Sequence, residues 1–267
     1  MPPSPPPGAP PHVIITGGSS GIGLAVAQLY AARGARLSLI ARGQEGLDEA
    51  RGSLVGARAV AVQSADVADA SSLLPAIAGC EALLGPCDIL VASAGIVEPG
   101  LFLDQSAESL ERQIAVNLQG SMNSVRAVYP GMAARRSGRI MLVSSGAALI
   151  GIPGYAAYCA SKSALRGFAE ALRFEAAPLN VTIGICYPPD TQTPQLAAER
   201  RTRPPEAEVI MGAVKPWPAA AVAERLVAAI DRGTREEFFS STLWALARLA
   251  PLVRPALLAW FDWRLRR

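Results

Sequence analysis

The sequence is poor in the groups from which many catalytic and metal sites are built. It has one histidine, His12, among 267 residues. That count excludes a histidine relay that activates a nucleophile, and it excludes a metal site made of several histidines. His12 stands at the threshold of an apolar run and reads as structural. The four cysteines, Cys80, Cys87, Cys159 and Cys186, form no CxxC pair and no framework spacing. Buried free thiols in a reducing compartment are the plain expectation. Charged residues make up only 18% of the chain and the net charge is +3, too little to suggest nucleic acid as a partner. Lysine is scarcer still: of 25 basic residues only Lys162 and Lys215 are lysines. A chain that uses arginine wherever charge alone serves, yet keeps a compact, deprotonatable ammonium at 162, marks that position for work arginine cannot do.

What the chain has is apolar bulk. Half of it, 51%, is hydrophobic, and the mean hydropathy is +0.27. A sizeable core is available, and the length suits one large α/β domain. Residues 1–11 are proline-rich and lack the apolar and basic regions of an export signal, so a stiff, exposed leader is expected there. Short apolar runs at 12–16, 35–41, 59–63, 88–93, 139–144 and 181–186 read as strands. Helical patterns at about 24–33, 45–54, 70–84, 109–136 and 158–177 lie between them. Runs that are continuously apolar, alternating with helices, imply a parallel sheet covered on both faces. With right-handed crossovers, the simplest closure is a Rossmann-like doubly wound sheet over residues 12–240. Within it, 188–217 is irregular and reads as a substrate lid at the sheet's ligand-binding edge. The segment 218–231 is again helical, 237–240 is a possible last strand, and 241–267 forms a separate apolar and basic tail.

The run Thr16-Gly17-Gly18-Ser19-Ser20-Gly21-Ile22-Gly23 follows the first strand and opens a helix. Glycines there permit a tight turn and close approach of backbone to a pyrophosphate, and the helix N-terminus offers unpaired N–H groups. The end of the second strand, Leu39-Ile40-Ala41-Arg42, carries no carboxylate to hold the ribose hydroxyls of NAD. Arg42 can meet a 2′-phosphate instead, with Ser19 and Ser20 adding hydroxyls, which favours NADPH. Arg42 also fits a solvated residue at a helix start. Asp66 and Val67 are placed to meet an adenine, and the small residues Ser93, Ala94 and Gly95 let a cofactor lie against backbone.

Tyr158 and Lys162 are four apart on one helical face. A nearby ammonium is expected to draw the phenol's pKa down towards the working range. Ser145, just past the fifth strand, can polarise a carbonyl oxygen, and Asn117 can anchor a water that relays protons to Lys162.

Together these residues resemble the short-chain dehydrogenase/reductase family over about residues 12–190. The resemblance implies a catalytic group of Asn117, Ser145, Tyr158 and Lys162, with Tyr158 as general acid and Lys162 also holding the nicotinamide ribose. It implies cofactor contacts at Gly17, Ser19, Ser20, Gly21, Ile22, Gly23, Arg42, Asp66, Val67, Ala94, Gly95, Pro188, Thr191 and Thr193, and no metal. Ser93 stands where that family has an asparagine. The segment Tyr187-Pro188-Pro189-Asp190-Thr191-Gln192-Thr193-Pro194, with Glu199–Glu206 after it, resembles the branch that reduces 3-ketosphinganine with NADPH. That branch implies a long-chain keto-lipid substrate and a membrane-associated C-terminus, hence a place on the cytoplasmic face of a membrane; the Ala-, Arg- and Pro-heavy composition leans towards a bacterial inner membrane before an endoplasmic reticulum. A homodimer or tetramer is expected.

The tail holds three of the four tryptophans, Trp244, Trp260 and Trp263. Arg248, Arg254 and Asp262 interrupt it, and Pro251 and Pro255 are expected to kink any helix. It suits a monotopic anchor, with a dimer interface or a flap over the substrate cleft as alternatives. Two other functions stay open: a reductase of a 3-oxoacyl, steroid or polyol ketone, and a non-catalytic dinucleotide-binding regulator, which would be expected to lose Tyr158 or Lys162.

Overall fold

A computed structural model describes residues 10–211 and 215–265. All but 10 and 11 of the proline-rich leader, and Arg266 and Arg267 of the tail, lie outside the described residues. The elements run β1 (His12–Thr16), α1 (Gly21–Ala32), β2 (Arg36–Ala41), α2 (Gln44–Gly52), β3 (Ala59–Ser64), α3 (Ala70–Leu84) and β4 (Ile89–Ala92). Then come α4 (Ala107–Ile114), a π-helical turn (Ala115–Gln119), α5 (Gly120–Arg135), β5 (Gly138–Val143), α6 (Ala156–Ala176) and β6 (Val181–Tyr187). The last part holds β7 (Thr191–Gln192), α7 (Pro194–Glu199), α8 (Pro205–Met211), β8 (Trp217–Pro218), α9 (Ala219–Asp231), β9 (Glu236–Phe238), α10 (Ser241–Arg248) and α11 (Ala250–Leu265).

The main sheet has seven strands in the order β3-β2-β1-β4-β5-β6-β9. Every pair in it is parallel. β1 lies between β2 and β4, so the chain's direction of winding reverses there, and a crevice opens beyond the strands' C-terminal ends. Each face of the sheet carries its own core. On one face Leu90 and Leu142 meet Ile77 of α3, Val128 and Met132 of α5, and Leu165 and Leu172 of α6. On the other, Ile15, Leu37 and Val91 meet Val26 and Tyr30 of α1, Leu47 of α2, and Leu226 and Ile230 of α9. Burial on both faces explains why the strands read as unbroken apolar runs. Leu90 is fully buried in the middle of the sheet. Leu90→Ala is expected to destabilise the fold by about 2–5 kcal/mol, read as a lower denaturant midpoint with unchanged slope.

His12 is a buried strut: its Nδ1 lies 2.6 Å from the Gly85 carbonyl oxygen and its Nε2 2.8 Å from Ser38 Oγ. Burial lowers its pKa from the usual imidazole value.

Three segments differ from the sequence expectation. The single helix expected over 109–136 is two helices joined by the π turn. The segment 188–217, expected as irregular chain, contains among its described residues α7 and α8 and the small β7–β8 pair. α7 starts as Thr193 and Pro194 dictate: the Thr193 hydroxyl accepts from Leu196 N at 3.2 Å, and proline occupies the first turn. The tail is helical through Pro255, and the break falls at Leu249. Pro251 sits in the first turn of α11, where a missing N–H costs no hydrogen bond. The tail also packs on the domain. Ala247 and Phe261 are buried, and Arg248 reaches Glu236 of β9 at 2.7 Å.

Candidate active site

A cavity of about 810 Å³ opens along the C-terminal edge of the sheet. Its floor begins at the turn after β1. Gly17 and Gly21 have φ of +69° and +56°, a region that favours glycine. A Cβ on Gly17 would sit 2.8 Å from the Ala94 backbone, and one on Gly23 would sit 2.3 Å from the Gly17 carbonyl oxygen. The turn is tied to β2 by Gly17 N, which donates to the Ile40 carbonyl at 2.8 Å. Ser20 caps α1 without a side-chain hydrogen bond, so the first N–H groups of that helix are left for an anion. Gly17, Ser19, Ser20, Gly21 and Ile22 all line the cavity, and Gly23 is the helix–turn contact behind them.

The end of β2 brings Arg42 to the same wall, with no acidic residue beside it. Asp66 and Val67 follow β3 into the wall, and the Asp66 carboxylate is fixed by Ala68 N at 2.9 Å. Ser93, Ala94 and Gly95 leave β4 along the middle of the cavity, and Pro188, Thr191 and Thr193 close the far side. An anion-ready helix end, a bare glycine ridge and an arginine at the second strand end fit a phosphorylated dinucleotide laid across the sheet edge.

The reactive groups stand beside that ridge. Ser145 follows β5, while Tyr158 and Lys162 project from the first turns of α6; all three line the cavity. Lys162 is almost fully buried, and its Nζ donates to the Val143 carbonyl at 3.0 Å. Burial pushes its pKa down to about 8. Nζ also lies 5.8 Å from the centre of the Tyr158 ring. The expectation that this ammonium draws the Tyr158 phenol down is not met. Burial raises that pKa above its ordinary value, and the Ser145 hydroxyl pulls the other way without prevailing. Taking a phenolate out of water costs more than its neighbours return, so the hydroxyl is held protonated.

Asn117 is fully buried on the π turn, behind the cavity wall. Its side chain is engaged on both sides: Ile96 N donates to Oδ1 at 2.8 Å, while Nδ2 donates to the Ile96 carbonyl at 2.9 Å and to Ser161 Oγ at 3.0 Å. The widened helical turn presents the amide to the chain after β4. A Cβ on Gly95 would lie 3.2 Å from both Asn117 Oδ1 and Lys162 Nζ, which places those two atoms around one point.

Part of the wall lies outside the residues picked from sequence. Tyr155, Asp190, Glu199 and Trp217 contribute to it, as do Leu243, Leu246, Leu257 and Phe261 from the two C-terminal helices. Of the three readings of the tail, this is the one in which it covers the cleft. Tyr187-Pro188-Pro189-Asp190 was a visible signal for Asp190. The C-terminal contribution had no local signal beyond the clustering of apolar residues.

The fold and the site define an oxidoreductase that works with a dinucleotide. The model of the short chain dehydrogenase family matches residues 11–204, and the chain belongs to that family. It is 39% identical over 249 residues to a 3-ketodihydrosphingosine reductase of Bos taurus, covering 91% of this chain and 74% of that protein. It is 42% identical over 205 residues to a 3-dehydrosphinganine reductase of Danio rerio, covering 74% of this chain and 62% of the relative, so the match spans less than two-thirds of the latter's length. Among solved structures, an actinorhodin polyketide ketoreductase with NADPH superposes with a TM-score of 0.78 at 26% identity, covering 90% of this chain and 98% of that one.

Proposed function

We propose that this chain reduces the C3 ketone of 3-ketosphinganine to the alcohol with NADPH. The observation that carries the reading is one continuous cavity that joins Arg42 and the glycine ridge to Ser145, Tyr158 and Lys162. Relatives named for that reaction, at about 40% identity, supply the substrate. Gly17, Gly21 and the N-terminus of α1 would hold the pyrophosphate, Arg42 the 2′-phosphate, Asp66 and Val67 the adenine, and Lys162 the nicotinamide ribose. Pro188, Thr191 and Thr193 would hold the nicotinamide end against the sheet.

Bound there, the reduced nicotinamide supplies hydride to a ketone carbon. Ser145 would hold the ketone oxygen, and Tyr158, kept protonated by burial, would donate the proton as charge builds on that oxygen. The Lys162 cation would steady the charge left on Tyr158. Asn117 fixes the chain after β4 and lies beside Lys162, the position from which a bound water would pass a proton to Lys162 as Lys162 reprotonates the Tyr158 phenolate. Holding donor and acceptor in one geometry supplies much of the rate.

The test is NADPH oxidation against NADH oxidation with 3-ketosphinganine in mixed micelles, with 3-oxoacyl, steroid and polyol ketones as rivals. Faster turnover of a rival ketone would overturn the substrate. Because the cationic form of Lys162 is the working one here, kcat/KM for reduction is expected to fall about tenfold per pH unit as pH rises through about 8. Lys162→Arg, which stays charged, is expected to remove that limb from whatever activity is left; a pH–rate profile checks both.

The C-terminal helices are proposed to lie on a membrane surface. Leu252, Trp260 and Trp263 are exposed on α11, and Trp244 on α10. Among the described residues no helix is long and apolar enough to cross a membrane. The contact proposed is the one these exposed side chains would make, peripheral and on the cytoplasmic face.

A further inference from the structure

Beside the proton donor lies a buried ionic cluster that the reduction of a carbonyl does not in itself require. Asp190 stands just past β6, Glu199 ends α7, Arg203 follows in the lid, and Tyr155 precedes α6. The Tyr155 hydroxyl donates to Glu199 Oε1 at 2.6 Å, and Arg203 Nε donates to the Tyr155 hydroxyl at 3.0 Å. Arg203 Nη2 bridges Asp190 Oδ2, at 3.1 Å, and Glu199 Oε1. The Arg203 and Glu199 side chains are about one-tenth exposed, at 9% and 10%, and that of Asp190 is 24% exposed. Burial alone would weaken the Arg203 cation, but its bond to Glu199 and the two carboxylate charges hold it firmly protonated.

The members are not placed symmetrically. Tyr155, Asp190 and Glu199 line the cavity, while Arg203 is not among the lining residues. Two carboxylates share one guanidinium, so the cluster carries a net negative charge towards the cavity. Buried charge of one sign is costly unless a partner arrives. The basic residues of the wall do not fill that place: Arg42 lies at the end of β2, and Lys162 donates to Val143. The Glu199 and Asp190 charges are both felt at the Tyr158 phenol, where each disfavours the phenolate. The Tyr155 ring, whose hydroxyl holds Glu199, stands 6.2 Å from the Tyr158 ring, so the uncompensated charge lies on the stretch of wall beside the proton donor.

We propose that Asp190 and Glu199 form a subsite for the ammonium of a 2-amino ketone, selecting substrates that carry a cation one carbon from the reacting carbonyl. The substrate rests on the function proposed above, since 3-ketosphinganine is such an amino ketone. A neutral keto lipid gains nothing from this subsite, and an anionic one is repelled. Arg203 and Tyr155 are positioning residues: Arg203 holds Glu199 and Asp190 from behind, Tyr155 holds Glu199 from beside it on the wall, and together they tie the lid to α6.

The test is binding of sphinganine against octadecane-1,3-diol, which lacks only the amine, to the NADP⁺-bound enzyme in non-ionic micelles at pH 7. The wild type is expected to prefer the amine at least tenfold. Asp190→Asn and Glu199→Gln are each expected to cut that preference to about threefold or less, with diol and NADP⁺ binding kept. Equal binding of the two lipids by the wild type overturns the proposal, as does a preference unchanged in both variants. Retained NADP⁺ affinity reports that a variant is folded; where it is lost in both, the wild-type ratio decides. Amine preference without turnover of 3-ketosphinganine sinks the proposed reaction and leaves the subsite, while turnover without preference does the reverse.

Discussion

Tyr158→Phe is expected to lower kcat by about 10²–10⁴ while leaving NADPH affinity within about threefold of wild type. The substitution removes one oxygen and its proton. The ring still fills its place on α6, and Lys162 keeps its bond to Val143, which does not involve the phenol. Ser145 remains to polarise the ketone, so the loss reads the proton donor and little else. Steady-state rates with the ketone, together with a fluorescence titration of NADPH, separate the two quantities. A matching loss of NADPH affinity would show that Tyr158 serves binding, and the assignment of the general acid would fall. The direction of reaction matters: burial keeps the phenol protonated, the form that donates, so the native site is set for reduction before any substrate enters.

Arg42→Asp is expected to reverse the nicotinamide preference, lowering the ratio of kcat/KM for NADPH over NADH by about 100-fold. A charge-assisted bond to a phosphate contributes about 1.5–3 kcal/mol, equivalent to roughly 10–150-fold. The new carboxylate also repels the 2′-phosphate and offers an acceptor to ribose hydroxyls. Arg42 is exposed at the rim of the cavity, so the fold should not suffer, and an unchanged melting temperature would show it. Initial rates with both cofactors decide. An unchanged ratio would return Arg42 to the role of a solvated helix-start residue.

The strands and the chemistry were legible in sequence for a common reason: each depends on local pattern. Continuous apolar runs mark strands buried on both faces, glycine marks the turn after β1, and the four-residue step from Tyr158 to Lys162 marks a helical face. The features that escaped depend on distant chain. The π turn at Ala115–Gln119 is held by Asn117 reaching the backbone of Ile96, a contact that helical periodicity cannot signal. The direction of the Tyr158 shift is not legible in sequence, because spacing shows the ammonium nearby and says nothing of the surrounding desolvation. Pro251 and Pro255 looked like interruptions because proline is usually costly inside a helix. Leu257 and Phe261 reach the cavity only because α10 and α11 fold back over it, a consequence of tertiary packing. Asp190 stands in the segment after β6 that carries the resemblance, but its partners Tyr155, Glu199 and Arg203 come from separate elements that only the folded chain assembles.

The four cysteines have a practical consequence. All are buried, and burial raises each thiol above its ordinary pKa, Cys186 to about 12. Thiolates are the species that alkylating reagents attack, so the folded protein is nearly silent to maleimides in its native form. A cysteine introduced at Leu252, four-fifths exposed on α11, would then carry a fluorophore or spin label alone, without prior removal of the native thiols. Such a label becomes a depth gauge, reporting whether that helix enters lipid in a chain whose active site has not been altered to make the measurement.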